Sequence, residues 1–255
     1  MNLYKFSLFL LPLGMVGCEN VGSYVALHSA QSMVIGVTNP YKDTINVSDQ
    51  LIGSVFLADA AEVSDISKTP IVGAEVSVIS NGASLPLNEV EDGFYVGIGI
   101  GENVPIYSEG AQFDVESIVD GEAHRATTTA PGPIGFEEEG SCIPADQSLE
   151  LHFTETGYDD LIIIVYNAQG EETFSSVPSS AGEFVDFAIA DESATETYTL
   201  PPSAFPADDP YGVFAVGVSG LLRGGTYSEN LNSILSHSAI GAMRLGLVTT
   251  VCVEE

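Results

Sequence analysis

The residues able to do chemistry are few and widely scattered. The four histidines, His28, His124, His152 and His237, fall in four separate segments. None is spaced from another like a pair of zinc ligands, so they read as surface or strand-face residues. Gly217-Val218-Ser219-Gly220 stops one residue short of the G-x-S-x-G nucleophile elbow and reads as a turn after a strand. Gly97-Ile98-Gly99-Ile100-Gly101 is glycine-rich, but a G-x-G-x-x-G phosphate loop needs glycine where Glu102 stands, and no helix follows. The reading left is a strand or bend whose glycines let backbone approach closely. Hard cations want carboxylates clustered on loops. Asp159, Asp160, Asp208 and Asp209 sit in expected turns and are the candidate calcium ligands. They do not form a D-x-[DN]-x-[DN]-G loop, and solvated turn residues of an acidic protein are the favoured reading.

Charge excludes more than it suggests. The 255 residues carry 36 Asp+Glu against six Lys+Arg, a formal net charge of -30. Such a chain has little with which to displace counterions from a phosphate backbone, so nucleic acid is not an expected partner. A mean hydropathy of +0.23 sets it apart from disordered polyanions. The length allows one large domain or two smaller ones, each large enough for a core.

Lys5 precedes an apolar stretch from Phe6 to Val16, too short to span a bilayer as a helix. By itself this is an ordinary secretory signal or a buried strand. Its last four residues, Met15-Val16-Gly17-Cys18, resemble the lipobox of bacterial lipoproteins, with Met15 in place of the usual leucine. The resemblance implies a signal peptide over 1–17, a lipid on Cys18 and a tether over 18–32. It further implies a bacterial cell envelope location, membrane contact through the anchor, and, with Glu19 next, outer-membrane sorting. With Cys18 spent on lipid, Cys142 and Cys252 remain as a disulfide pair in an oxidising compartment, or as two separate buried thiols.

Nearly every segment reads as strand and turn. Met33–Val37, Leu51–Leu57, Ile71–Val78, Gly93–Val96, Gln112–Glu116 and His124–Thr128 recur at short spacing, and Asn81-Gly82 marks a hairpin. Residues 133–146, rich in Pro, Gly and Glu, read as a linker. Beyond it come Leu149–Phe153, Leu161–Tyr166, Phe184–Ile189, Tyr198–Leu200, Gly212–Val218 and Leu245–Val251. The continuous β-branched run at Leu161–Tyr166 predicts a strand buried on both faces. Glu229–Ala239 reads as a loop with one helical turn. The expectation is all-β, with two tandem antiparallel β-sandwich (Ig-like or prealbumin-like) domains over 33–132 and 147–255.

Within 51–130, Gly53-Ser54-Val55, Pro70-Ile71-Val72-Gly73-Ala74-Glu75-Val76-Ser77-Val78 and Gly93-Phe94-Tyr95 resemble carboxypeptidase regulatory-like and prealbumin-like sandwich modules. That resemblance implies a noncatalytic module of cell-surface proteins, with no catalytic residues to carry over. The functional expectation is a noncatalytic, lipid-anchored envelope protein that binds a protein or glycan partner or serves structurally. The alternatives are a calcium-dependent adhesion module and an enzyme built on loop carboxylates.

Overall fold

The computed structural model describes residues 28–144, 147–190 and 195–252. The expected signal peptide and Cys18 lie outside the described residues. Among the described residues there are fourteen strands: β1 Ser29–Thr38, β2 Gln50–Ala58, β3 Glu75–Ser80, β4 Ala83–Glu91, β5 Phe94–Ile100, β6 Gln112–Val119, β7 Glu122–Thr129, β8 Leu149–His152, β9 Asp160–Asn167, β10 Glu172–Ser175, β11 Thr197–Leu200, β12 Val213–Arg223, β13 Thr226–Tyr227 and β14 His237–Thr249. One helix, α1, covers Ala181–Ile189, and a 3-10 turn covers Val63–Lys68.

Strands from both halves of the chain join one sheet, in the order β10-β9-β12-β14-β1-β2-β5-β4-β3-β6-β7-β13. The fold is all-β, as expected, but the halves do not form separate sheets. β1 pairs in parallel with β14, matching Gln31 to His237 and Thr38 to Arg244. The strand therefore starts at Ser29, inside the expected tether. Nor is 133–146 a solvent-filled linker. Ile134, Phe136 and Ile143 are buried, and Gly140 N–H and Ile143 N–H donate to the carbonyls of Leu247 and Thr249 on β14 at 2.7 and 2.8 Å. Its apolar residues are spaced between the Pro, Gly and Glu that suggested a linker, and a groove beside β14 accepts them.

The sheet folds over itself at β4, giving a sandwich. One face of β1, β2 and β5 packs Val34, Val55 and Tyr95 against Val78, Phe113 and Val115 from the overlying strands. Farther along the same face, Ile163, Val165, Phe214 and Val216 are covered by Leu151, Leu200 and Phe205. The opposite face carries Met33, Ile35, Phe56, Phe94 and Ile164 under α1 and the 3-10 turn. As expected of a central strand, β9 is buried on both faces.

Phe184–Ile189, expected as a strand, is helical. Ser180 caps α1, its hydroxyl accepting from Glu183 N–H at 3.3 Å. Glu183 returns the favour as a carboxylate, accepting from Ser179 N–H at 2.9 Å. This reciprocal cap satisfies end donors that a strand would not have. Phe184, Val185 and Ala188 then share a buried face, a spacing that also reads as a short apolar strand.

Pro70–Val78 and Gly93–Tyr95 are pinned to each other. Tyr95 Oη donates to Ile71 O at 2.9 Å and accepts from Ala74 N–H at 3.0 Å. Glu89 accepts from Gly73 N–H and Gly93 N–H, both at 2.9 Å. Gly93, at φ 72°, makes the tight turn from β4 into β5.

Candidate functional site

Gly97–Ile100 of the Gly-Ile-Gly-Ile-Gly run form the second half of β5, where the sheet folds over. β4 pairs with β5 only at its start, with Asn88 opposite Val96 and Glu91 opposite Phe94. It then passes beneath β5 to reach β3. Gly97 and Gly99 make room for this crossing. A Cβ on Gly97 would lie 2.9 Å from Pro86 O, and one on Gly99 would lie 3.1 Å from Leu85 Cδ1. Close backbone approach, one reading of these glycines, is what they serve.

Once β4 leaves, the outer edge of β5 is bare. Leu57 N–H donates to Gly93 O at 2.9 Å, and Phe56 stands opposite Phe94. Antiparallel alternation then turns the backbone groups of Tyr95, Gly97 and Gly99 toward β2, and those of Phe94, Val96, Ile98 and Ile100 away from it. β4 meets the first two of that outward set. The β4 register ends at Val96, so Ile98 and Ile100 have no strand opposite their outward side among the described residues, and each residue is 60% exposed.

A cleft of about 390 Å³ opens beside Ile100, between the start of β2 and the loop over 101–107. Ile106 stands 74% exposed at its rim. Tyr107 closes the floor, stacked on Phe113 at 5.4 Å and donating to Pro131 O at 3.1 Å. Its ring lies flat on Gly36, where a Cβ would come within 2.1 Å of it. Burial raises the Tyr107 hydroxyl well above its ordinary value, and the Glu109 carboxylate nearby adds to the effect, so it stays a neutral donor. On the far wall Lys42 and Asp49 pair at 2.6 Å. Burial opposes the charge on Asp49, but Lys42 and the Asn39 N–H outweigh it and hold the carboxyl low. The cleft offers an apolar wall, one ion pair and Glu102, an arrangement suited to binding.

The expected calcium ligands are not brought together. Asp160 is buried and takes Arg223 Nε at 2.6 Å and Nη2 at 3.0 Å. Asp159 accepts from Arg223 N–H at 2.6 Å. Asp209 accepts from Tyr211 N–H and Gly212 N–H at 3.0 and 2.9 Å, and Asp208 lies beside it on the exposed loop. Asp159 and Asp160 thus serve an arginine and backbone. Among the described residues no group of three or more His, Cys, Asp or Glu is placed to hold a metal ion. Cys142 and Cys252 are joined by a disulfide, with Cα atoms 5.5 Å apart. Desolvation raises the Glu172 carboxyl above the usual range, but Glu172 is not part of the cleft lining. Gly217–Gly220 lies within β12, not in a turn, and buries Ser219 completely.

Spacing gave no hint that His28 and His124 meet, with ring centroids 4.8 Å apart. His124 is 2% exposed, and neither of its ring nitrogens has a partner among the described residues. Burial lowers its pKa, with His28 adding to the effect. His237 is lowered by burial and by Arg223. Both therefore bind protons more weakly folded than unfolded. Their contribution is complete above the unfolded histidine value of about 6.5 and is lost as pH falls through it toward the folded value. Exposed His152, raised by its hydrogen bond to Glu138, acts in the opposite sense. The expected result is a fall in the histidine contribution to Tm between pH 7 and pH 5 that His124→Leu reduces. Equal falls in both proteins, by calorimetry, would remove His124 as the cause.

The pairing pattern defines the class as an all-β sandwich. No family model matches the chain, and no curated protein matches it. Among solved structures it is similar to the N-terminal Ig1-2 module of the Drosophila receptor protein tyrosine phosphatase DLAR, at 10% identity and a TM-score of 0.29, over 83% of this chain and 98% of that one. It is also similar to the full ectodomain (Ig1-Ig3) of mouse nectin-like molecule 4, at 13% identity and a TM-score of 0.21, over 81% of this chain and 62% of that one.

Proposed function

We propose that this chain is a noncatalytic, lipid-anchored protein of the bacterial cell envelope that acts as a binding module. The observation that carries the binding role is the apolar edge at Ile98 and Ile100 opening onto the cleft beside Ile106. Solvated apolar groups grouped on a rigid sheet are a feature of interaction surfaces. The lipobox-like Met15-Val16-Gly17-Cys18 supports the anchor, and Glu19 supports the outer membrane. A protein partner fits the bare strand edge better than a glycan, because an edge offers backbone pairing.

The anchor is tested by expressing the full chain and Cys18→Ala in a bacterial host and separating membranes from soluble protein. The unaltered chain is expected in the membrane fraction, beginning at Cys18 and heavier by its lipid, with Cys18→Ala retaining its leader. Identical masses and identical partitioning for the two proteins would overturn the lipid anchor.

A further inference from the structure

We infer that the outer edge of β5 at Ile98–Ile100 is a strand-addition site for an extended, cationic segment of a partner protein. The inference rests on the binding-module reading above and specifies how that module binds. Edge strands are commonly protected by lysine, proline or a bulge that discourages pairing. β5 has none of these past Val96: it ends Gly97-Ile98-Gly99-Ile100, with Ile98 and Ile100 exposed and the two glycines buried against β4. The outward N–H and C=O groups of Ile98 and Ile100 repeat at the spacing a further strand needs. The same two side chains extend the apolar face begun by Phe94 and Val96 beyond the cover of α1. Every second residue of an added strand would lie on that face, and its continuation past Ile100 would enter the cleft between Ile106 and Tyr107.

Charge selects the occupant. The chain carries a net charge of -30, so a second copy would bring the same charge to the edge. Lys42, Lys68, Arg125 and Arg223 already sit on carboxylates of their own chain. Glu102 stands at the cleft rim two residues beyond Ile100, and Asp92 is exposed at the turn into β5. A segment that alternates apolar residues with lysine or arginine satisfies both the backbone edge and this field. Its attraction should weaken with salt.

The test uses the full chain and a fluorescent peptide of alternating valine and lysine. One control peptide has the same composition but N-methylated alternate residues, which cannot pair as a strand, and another has glutamate for lysine. The valine–lysine peptide is expected to bind and to slow hydrogen exchange at the Ile98 and Ile100 amides, with both controls at least about tenfold weaker. Ile100→Pro removes an outward N–H while leaving the β2 side of β5 intact, and is expected to weaken binding about tenfold. Ile98→Ser retains the N–H and loses only the apolar contact, so it reports on the site if the proline variant does not fold. Equal binding by Ile100→Pro and Ile98→Ser, or by the N-methylated peptide, overturns strand addition and leaves the binding-module reading standing. Protection of these amides by self-association, seen as a dimer in sedimentation, overturns the cationic partner in favour of a second copy. Loss of the lipid on Cys18 would affect only the anchor.

Discussion

Asp160→Ala is expected to lower the melting temperature by about 6–20 °C, corresponding to a cost of about 3–5 kcal/mol. Asp160 is 8% exposed and grips Arg223 through two oxygens. The same guanidinium donates to the carbonyls of Phe187 and Ala188, at 2.9 and 3.2 Å, and to that of Ala190. These carbonyls lie at the C-terminal end of α1, where backbone acceptors lack helical partners and the helix dipole favours a cation. Arg223 on β12 thus ties the helix to the sheet, and Asp160 on β9 holds the arginine in place. Removing the carboxylate leaves a largely buried cation without its counter-charge, which is where most of the cost arises. Arg223→Met should cost a similar amount, because it strands Asp160 and three helix carbonyls together. The double variant Asp160→Ala/Arg223→Met should recover the charge-burial part and not the helix-end part, so its loss should be smaller than the sum of the two single losses. Urea denaturation of the four proteins measures this, and additive losses would show that the two side chains act independently.

Reduction of Cys142–Cys252, or replacement of both by serine, is expected to lower stability by about 3–4.7 kcal/mol, or about 6–19 °C in Tm. The bridge closes a loop with a sequence separation of 110, long enough that its main effect falls on the unfolded chain. The folded contacts around it do not need the bond. Ile143 N–H and Thr249 N–H already pair the 141–143 segment with β14 at 2.8 and 3.1 Å. Both cysteines are exposed, so a mild reductant should reach them in the folded protein. A denaturation midpoint that falls while the slope with denaturant rises would locate the effect in a more expanded unfolded state. An unchanged midpoint under reductant would show that the bridge does not contribute.

Strand character was legible because it is local. Apolar β-branched runs bounded by Gly, Asn and Pro gave β1, β2, β9 and β12 close to their observed positions, and Asn81-Gly82 gave the β3–β4 hairpin, with both residues at positive φ. β4 was missed because Pro86 reads against a strand and Glu89 falls where the Leu85–Leu87 alternation calls for an apolar residue: one end of it serves β3 and the other β5. The helix was missed for a related reason. Six residues of Phe184–Ile189 carry an apolar pattern that suits either state, and only the reciprocal Ser179–Ser180–Glu183 cap distinguishes them.

The site itself was half visible. Gly97 and Gly99 were readable as places of close backbone approach, but the approaching strand was not, since nothing in the local sequence names β4. The four aspartates had the right type and setting for a cation, yet Arg223 lies 63 residues from Asp160, and their pairing exists only after β12 is laid against β9. His28 and His124 show the same limit: 96 positions apart by number, they meet because β1 and β7 lie in facing layers.

By itself, the sequence determined the strand-rich character, the anionic surface and the lipobox-like Cys18, because propensity, charge and short motifs act over a few residues. Tertiary structure alone decided that β1 would pair with β14, uniting the expected two domains in one sheet. It also decided which edge would be left bare. Strand pairing satisfies identical backbone groups on every strand, so the choice of neighbour follows from how whole faces pack and where the chain can reach.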